Sequence, residues 1–255
     1  MEIIKQLKAD LKALGISQGD TVMLHSSFKS LGGGISASAF FKCFLEVLGE
    51  NGTLILPAFS YDTVNYENLL FDKHNTPSCV GFLPEFFRTQ VSGVKRSIHA
   101  THSCCVIGKN ADLLIKDHEK DLTPVGENSP ITKLPDLNGK ILFLGAHPDH
   151  NTAFHGIEEK GNAPYIFDLN KRIEYILKDG EKEIKQSALR HDFHKADVDY
   201  EQKYSRVLDI LDESDYSKGK VLKADCYLLS AKAVWEKGVA KIKQDPYFFV
   251  NKIYK

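Results

Sequence analysis

In the stretch KILFLGAHPDHNTAFHGIEEK, residues 140–160, His155 is followed three and four residues later by Glu158 and Glu159. Residues at that spacing share a helical face, so one or both carboxylates would stand beside the imidazole. A neighbouring carboxylate favours the imidazolium, whereas a helix N-terminus favours the neutral ring. The two pulls together suit a general base that titrates near neutral pH. An ordinary half-buried histidine fits the same spacing, so this reading depends on the elements that place the ring.

Those elements are legible. Ile141–Leu144 is a short apolar run that reads as a buried strand, and Gly145 ends it. A polar turn with Pro148 and Asp149 follows, and Asn151 or Thr152 stands where a helix N-cap is wanted. The order is strand, turn, helix, with the chemistry in the turn. Similar apolar runs at 21–25, 53–56, 104–107 and 223–229 read as further strands. Helices are expected over residues 2–14, 37–48, 199–213 and 231–237, and a short one opening at Pro84. Residues 172–187 read as a hairpin around Asp179-Gly180. Alternating strands and helices predict an α/β fold, a three-layer α/β/α sandwich spanning residues 1–255 as one domain. The hairpin predicts that its central sheet is mixed.

Three other stretches carry candidate chemistry. His25-Ser26-Ser27 at the end of a strand, followed by Gly32-Gly33-Gly34, would let a ligand approach the backbone, and no P-loop lysine follows. Lys95-Arg96-Ser97-Ile98-His99-Ala100-Thr101-His102-Ser103 combines cations, hydroxyls and imidazoles in a mix that suits a phosphate-bearing ligand. Residues 60–80, with Asp62, and the turn-rich 123–130, with Glu127, could line a cleft.

Composition excludes several classes. The 33 Lys and Arg balance 34 Asp and Glu, a net charge of −1, so there is no electrostatic case for nucleic acid or an anionic membrane. No apolar run reaches the roughly 18 residues of a membrane span, and the amphipathic N-terminus is not a signal peptide, so a cytoplasmic protein is expected. The five cysteines form no Cys-x-x-Cys pair and read as reduced, buried thiols.

Two family resemblances compete for the 146–155 stretch. Ala146-His147-Pro148-Asp149 resembles the start of the Ala-His-Pro-Asp-Asp signature of zinc-dependent sugar N-deacetylases, with His191 and His194 as further ligands. That signature belongs after a first strand and has a second Asp where this chain has His150. Asn151-Thr152-Ala153-Phe154-His155 instead resembles the Asn-Thr-x-x-His segment of the aminoglycoside 3-N-acetyltransferase family. In family order, the resemblance extends through residues 19–27, 52–59, 81–85, 95–103 and 123–130, and again at 224–228. One departure is Ala100, where the family usually has Pro.

The second resemblance implies transfer of an acetyl group from acetyl-CoA to an amine of an amino sugar, without a metal. It implies His155 as the base and Glu158 as its orienting partner. Ser26 and Ser27 would lie near the thioester. Lys95, Arg96, Ser97, His99, His102 and Ser103 would hold the CoA phosphates, and Asp62, Glu127, Asn151 and Thr152 would face the acceptor. Partners are then small molecules, with the chain a monomer or homodimer. Because a polycationic antibiotic calls for an acidic cleft, the balanced charge favours a biosynthetic acceptor, nucleotide-linked or otherwise, over an aminoglycoside as in antibiotic resistance.

Overall fold

The computed structural model describes residues 2–255. Its centre is a seven-stranded sheet. Three strands, β1 (Thr21–Ser26), β2 (Thr53–Pro57) and β6 (Lys140–Leu144), lie side by side and parallel, with β1 in the middle. On one side of this trio, β5 (Cys104–Gly108) runs antiparallel to β2, and the two-residue β4 (Lys95–Arg96) pairs with β5. On the other side, β11 (Ala224–Ser230) runs antiparallel to β6, and β10 (Tyr216–Val221) closes the edge.

Helices cover both faces, which is why the central strands are apolar throughout rather than alternating. Odd and even positions diverge as the pleat requires. Val22, Leu24, Leu54, Leu56, Leu142 and Leu144 face one core, with Leu7, Phe40, Phe44 and Phe87 of α1 (Glu2–Leu14), α2 (Ala37–Leu48) and α3 (Phe82–Gln90). Met23, Ile55, Ile141 and Phe143 face the other. There they meet α4 (Ala111–Ile115), α5 (Pro130–Lys133), α6 (Ala153–Gly161) and α7 (Ala231–Gln244), with Leu114, Ile131, Phe154, Ile157 and Trp235 as contact residues. The fold is therefore the expected three-layer sandwich on a mixed sheet.

The sheet is mixed for a different reason than the sequence suggested. The hairpin β7 (Ile173–Asp179) and β8 (Lys182–Ala188) does not join it. It pairs with β3 (Leu70–Asp72) in a separate three-stranded sheet over its own core of Val64, Phe71, Tyr175 and Leu177. Mixing in the central sheet comes from β5, β4, β11 and β10. The helix expected over 199–213 is also absent. Val198–Gln202 forms β9, which pairs antiparallel with β12 (Val250–Tyr254), and only a 3₁₀ turn follows at Tyr204–Asp209. Backbone pairing with the C-terminal strand overrides the weak helical pattern of this polar segment.

Candidate active site

A cleft of about 660 Å³ opens at the carboxyl ends of the three parallel strands, the crevice where open α/β sheets bind ligands. Its walls include Ser26 from β1, Pro57 from β2, Ala146 just past β6, and Asn151, Thr152 and His155 at the start of α6. The turn between β6 and α6 depends on Gly145, whose φ of +64° is left-handed and whose missing side chain leaves room for Ser30. A Cβ there would lie 1.7 Å from Ser30 Oγ.

Asn151 Oδ1 accepts a hydrogen bond from Ala153 N at 3.1 Å and so starts the helix. Two residues later the helix presents His155, whose side chain is 17% exposed. Its Nδ1 lies 3.4 Å from Tyr204 Oη and 3.7 Å from Glu158 Oε2. Glu158 is fully buried, yet it accepts from Tyr165 Oη at 2.7 Å and Tyr204 Oη at 3.0 Å. The two phenols replace the water that this carboxylate loses, and burial, with the neighbouring Glu158 as the second cause, holds both hydroxyls far above their ordinary range. Donation from His155 Nδ1 toward these oxygens leaves Nε2 with its lone pair, and no protein hydrogen bond reaches Nε2 among the described residues.

Glu159 faces another way. Its Oε1 accepts from Val125 N at 2.9 Å and lies 3.0 Å from His191 Nε2. Burial raises its carboxyl to about 7. The same burial, together with the nearby His155, pushes His191 well below the ordinary histidine range. Of the two carboxylates that the spacing left open, Glu158 is thus the one near His155.

The sequence-selected residues divide clearly. Ser26, His102, Asn151, Thr152 and His155 line the cleft, with Glu158 directly behind His155. Ser26 Oγ, Asn151 Nδ2, Thr152 Oγ1 and His25 Nε2 are buried without protein partners, an arrangement that reserves them for a ligand or water. The phosphate-binding role expected of residues 95–103 requires correction. Arg96 is 5% exposed, and its guanidinium is consumed by protein acceptors. Nε donates to Ser103 Oγ at 2.9 Å, Nη1 to Thr76 O at 2.6 Å and Lys73 O at 3.2 Å, and Nη2 to Ala58 O at 2.9 Å. Ser103 Oγ itself donates to Ala58 O, Ser97 Oγ accepts from Cys104 N, and His99 Nε2 contacts Thr123 O. Lys95 is exposed but pairs with Asp112 at 2.6 Å. This segment ties β5 to its neighbouring loops; of its chosen residues only His102 reaches the cleft.

Ser27, Asp62 and Glu127 also lie off the cleft. Ser27 N donates to Leu144 O, Asp62 is exposed, and Glu127 borders a separate depression beside Trp235. In contrast, Tyr204, Tyr165 and Arg190 are parts of the cleft or its support that the sequence reading gave no such role, and His191 and His194, expected only as ligands of a deacetylase metal, line it too. Tyr204 was hidden inside the expected helix. The polar alternation of Val198-Asp199-Tyr200-Glu201-Gln202 was the available signal that a strand would end beside it.

The aminoglycoside 3-N-acetyltransferase family profile matches residues 23–243. The chain belongs to the aminoglycoside 3-N-acetyltransferase family. It is accordingly an acetyl-CoA-dependent N-acetyltransferase. Among its relatives is the SPbeta prophage-derived aminoglycoside N(3')-acetyltransferase-like protein YokD of Bacillus subtilis (strain 168), 29% identical over 89% of this chain and 87% of the relative. Aminoglycoside N(3)-acetyltransferase VII of Streptomyces paromomycinus is 29% identical over 94% and 91% of the two chains. Among solved structures, AAC-IIIb in binary complex with CoASH superposes with a TM-score of 0.81 at 25% identity, covering 94% of this chain and 96% of that one. Membership in this family removes the reading of Ala146–Asp149 as a deacetylase signature. No helix of the described residues is long and apolar enough to cross a membrane.

Proposed function

We propose that this acetyltransferase N-acetylates an amine of an aminoglycoside-type acceptor, with His155 as general base. The observation that carries the catalytic assignment is the placement of His155 at the cleft with Nδ1 directed to Tyr204 and Glu158 and with Nε2 free. Nε2 takes a proton from the acceptor amine as its nitrogen attacks the thioester carbonyl of acetyl-CoA. The N–C bond forms, the C–S bond breaks, and the CoA thiolate leaves and is protonated. The Tyr204–Glu158 pair stabilises the imidazolium formed in that step. Asn151 Nδ2 and Ser26 Oγ are candidate donors to the thioester oxygen, because both are buried and without partners. The acetyl donor is supported by the solved relative that holds CoASH, and the acceptor class by the names of the curated relatives.

One observation favours a second reading of the acceptor, the biosynthetic amino sugar. The cleft is lined by His25, His102, His150, His155, His191, His194 and Arg190, against Asp149 as the one carboxylate among its lining residues. Arg190 is already engaged with Tyr61 O and Val64 O. Burial holds His25, His102 and His191 well below the ordinary histidine range, so such a wall carries little charge of either sign, gives little attraction to several ammonium groups at once and suits an acceptor with a single amine. A thiol-release assay with acetyl-CoA, run against aminoglycosides and against phosphorylated or nucleotide-linked amino sugars, tests both readings. Turnover on aminoglycosides alone supports the first and turnover on anionic amino sugars alone the second. In either case His155→Ala is expected to lose about 10²–10⁴ in kcat. Near-normal turnover of that variant would overturn the assignment of the base.

A further inference from the structure

His102, His155 and His191 come from three separate segments, the loop before β5, helix α6 and the strap after β8. Their ring centroids lie 4.6–5.6 Å apart. One ring nitrogen of each approaches one of each of the others to within 4.8 Å. One nitrogen of every ring is turned to an oxygen. His102 Nδ1 lies 2.8 Å from Thr101 Oγ1, His191 Nε2 lies 3.0 Å from Glu159 Oε1, and His155 Nδ1 faces Tyr204 and Glu158. Among the described residues no protein hydrogen bond occupies His102 Nε2, His155 Nε2 or His191 Nδ1.

Metal-binding histidines have this outer arrangement, in which a hydroxyl or carboxylate holds the second nitrogen, fixes the tautomer and orients the ring. Phe59 packs 4.3 Å from His102, and Phe167 stacks on His191 at 5.4 Å, so apolar groups further restrict both rings. Burial and the neighbouring imidazoles keep His102 and His191 neutral, the state a ligand must have.

We propose that His102, His155 and His191 form a site for a divalent transition-metal ion of the zinc class, and that an ion seated there occupies His155 and stops acetyl transfer. Imidazole nitrogens suit such ions, and three protein ligands with an open fourth position is a common zinc arrangement. Zinc–nitrogen bonds near 2.0–2.1 Å put tetrahedral ligands about 3.4 Å apart, so the rings need to close by no more than about 1.4 Å. Binding depends on this geometry alone, whereas the inhibitory consequence rests on His155 being the base.

The test is calorimetric titration of the chelator-treated full chain with Zn²⁺, paired with the visible ligand-field bands of bound Co²⁺. Acetyl transfer is measured at each level of occupancy. One ion per chain is expected, with Co²⁺ bands typical of tetrahedral nitrogen coordination and activity falling in step with occupancy. His102→Ala and His191→Ala should each weaken Zn²⁺ binding by at least about tenfold. His150→Ala and His194→Ala, cleft histidines outside the cluster, should not. Thermal melting and CoA binding show that each variant is folded. If no stoichiometric binding occurs, or if it is unchanged in folded His102→Ala and His191→Ala, the site does not exist and the role of His155 is untouched. If Zn²⁺ binds through all three histidines while acetyl transfer continues at full occupancy, the inhibitory consequence fails along with His155 as base.

Discussion

Arg96→Ala separates two meanings of a basic residue at this position, a clamp for CoA phosphate and an internal strut. The guanidinium makes four donated hydrogen bonds to Ser103, Thr76, Lys73 and Ala58 and lies 4.7 Å from the Phe71 ring centroid. Removing it strips three carbonyls and one hydroxyl of a buried donor. At roughly 1.5 kcal/mol for each bond from a charged group, the low end of the usual range, the sum is about 6 kcal/mol. Water entering the vacated space recovers part of that, so the expected loss is about 3–5 kcal/mol, as for breaking one side of a buried ionic interaction. Against a total stability of about 5–15 kcal/mol, such a loss moves the urea midpoint visibly and can unfold the chain on warming. Arg96→Lys, which can still reach some of these acceptors, should lose about half as much. Below the variant's transition, the KM for acetyl-CoA and that for a short pantetheine thioester lacking the nucleotide should change together. A folded Arg96→Ala within about 1 kcal/mol of the parent, with KM raised for acetyl-CoA alone, would refute the strut and restore the phosphate contact.

Glu158→Gln should lower kcat by about tenfold or more, since an amide cannot accept from both Tyr165 and Tyr204 or balance an imidazolium; Glu159→Gln tested beside it should affect kcat less, and the reverse order would reassign the partner. Gly156→Ala places a Cβ 2.5 Å from Trp235, and should cost about 1–3 kcal/mol and reduce kcat by shifting α6 and His155, measured by denaturation and steady-state kinetics. Acid should destabilise the fold, because burial lowers His99 to about 4 and the stacked His118 well below the ordinary histidine range, while the unfolded chain protonates near 6.5. The unfolded state then binds more protons across that window, so this stability is present above about pH 6.5 and disappears as pH falls through 4; for His99 it amounts to about 3 kcal/mol. Urea midpoints from pH 7 to 5 should fall steadily, and His118→Phe should flatten the slope.

The central strands were legible because burial on both faces writes an unbroken apolar run, as in Ile141–Leu144, and Gly145 and Pro57 mark where β6 and β2 stop. The β6–α6 junction was legible for the same reason, with Asn151 and Thr152 announcing the helix that carries His155. Long-range pairing was not. Nothing local in Leu70–Asp72 tells that it will join β7, and the polar Val198–Gln202 becomes a strand only because β12 supplies its hydrogen bonds. Arg96 misled for a related reason. A cation among hydroxyls resembles a phosphate loop until the burial of its guanidinium and the carbonyls of Ala58, Lys73 and Thr76 are seen around it. His102 and His191 lie 89 residues apart in the chain, so only the folded arrangement joins them to His155.

The β9–β12 pair has a consequence for the order in which the molecule becomes complete. Arg206 is held by Phe248 O, Val250 O and Asn251 Oδ1, and Lys203 N donates to Phe249 O. Tyr204 lies between these two anchors, so the phenol that contacts His155 is fastened by residues made almost 50 positions later. On the ribosome, the parallel strands, α6 and the imidazole can all be in place while Tyr204 is still unanchored. A nascent chain that stops short of Val250 should therefore have a cleft but lack the fixed phenol beside its base. Catalytic competence would then wait for β12 rather than for the parallel strands that form the cleft floor.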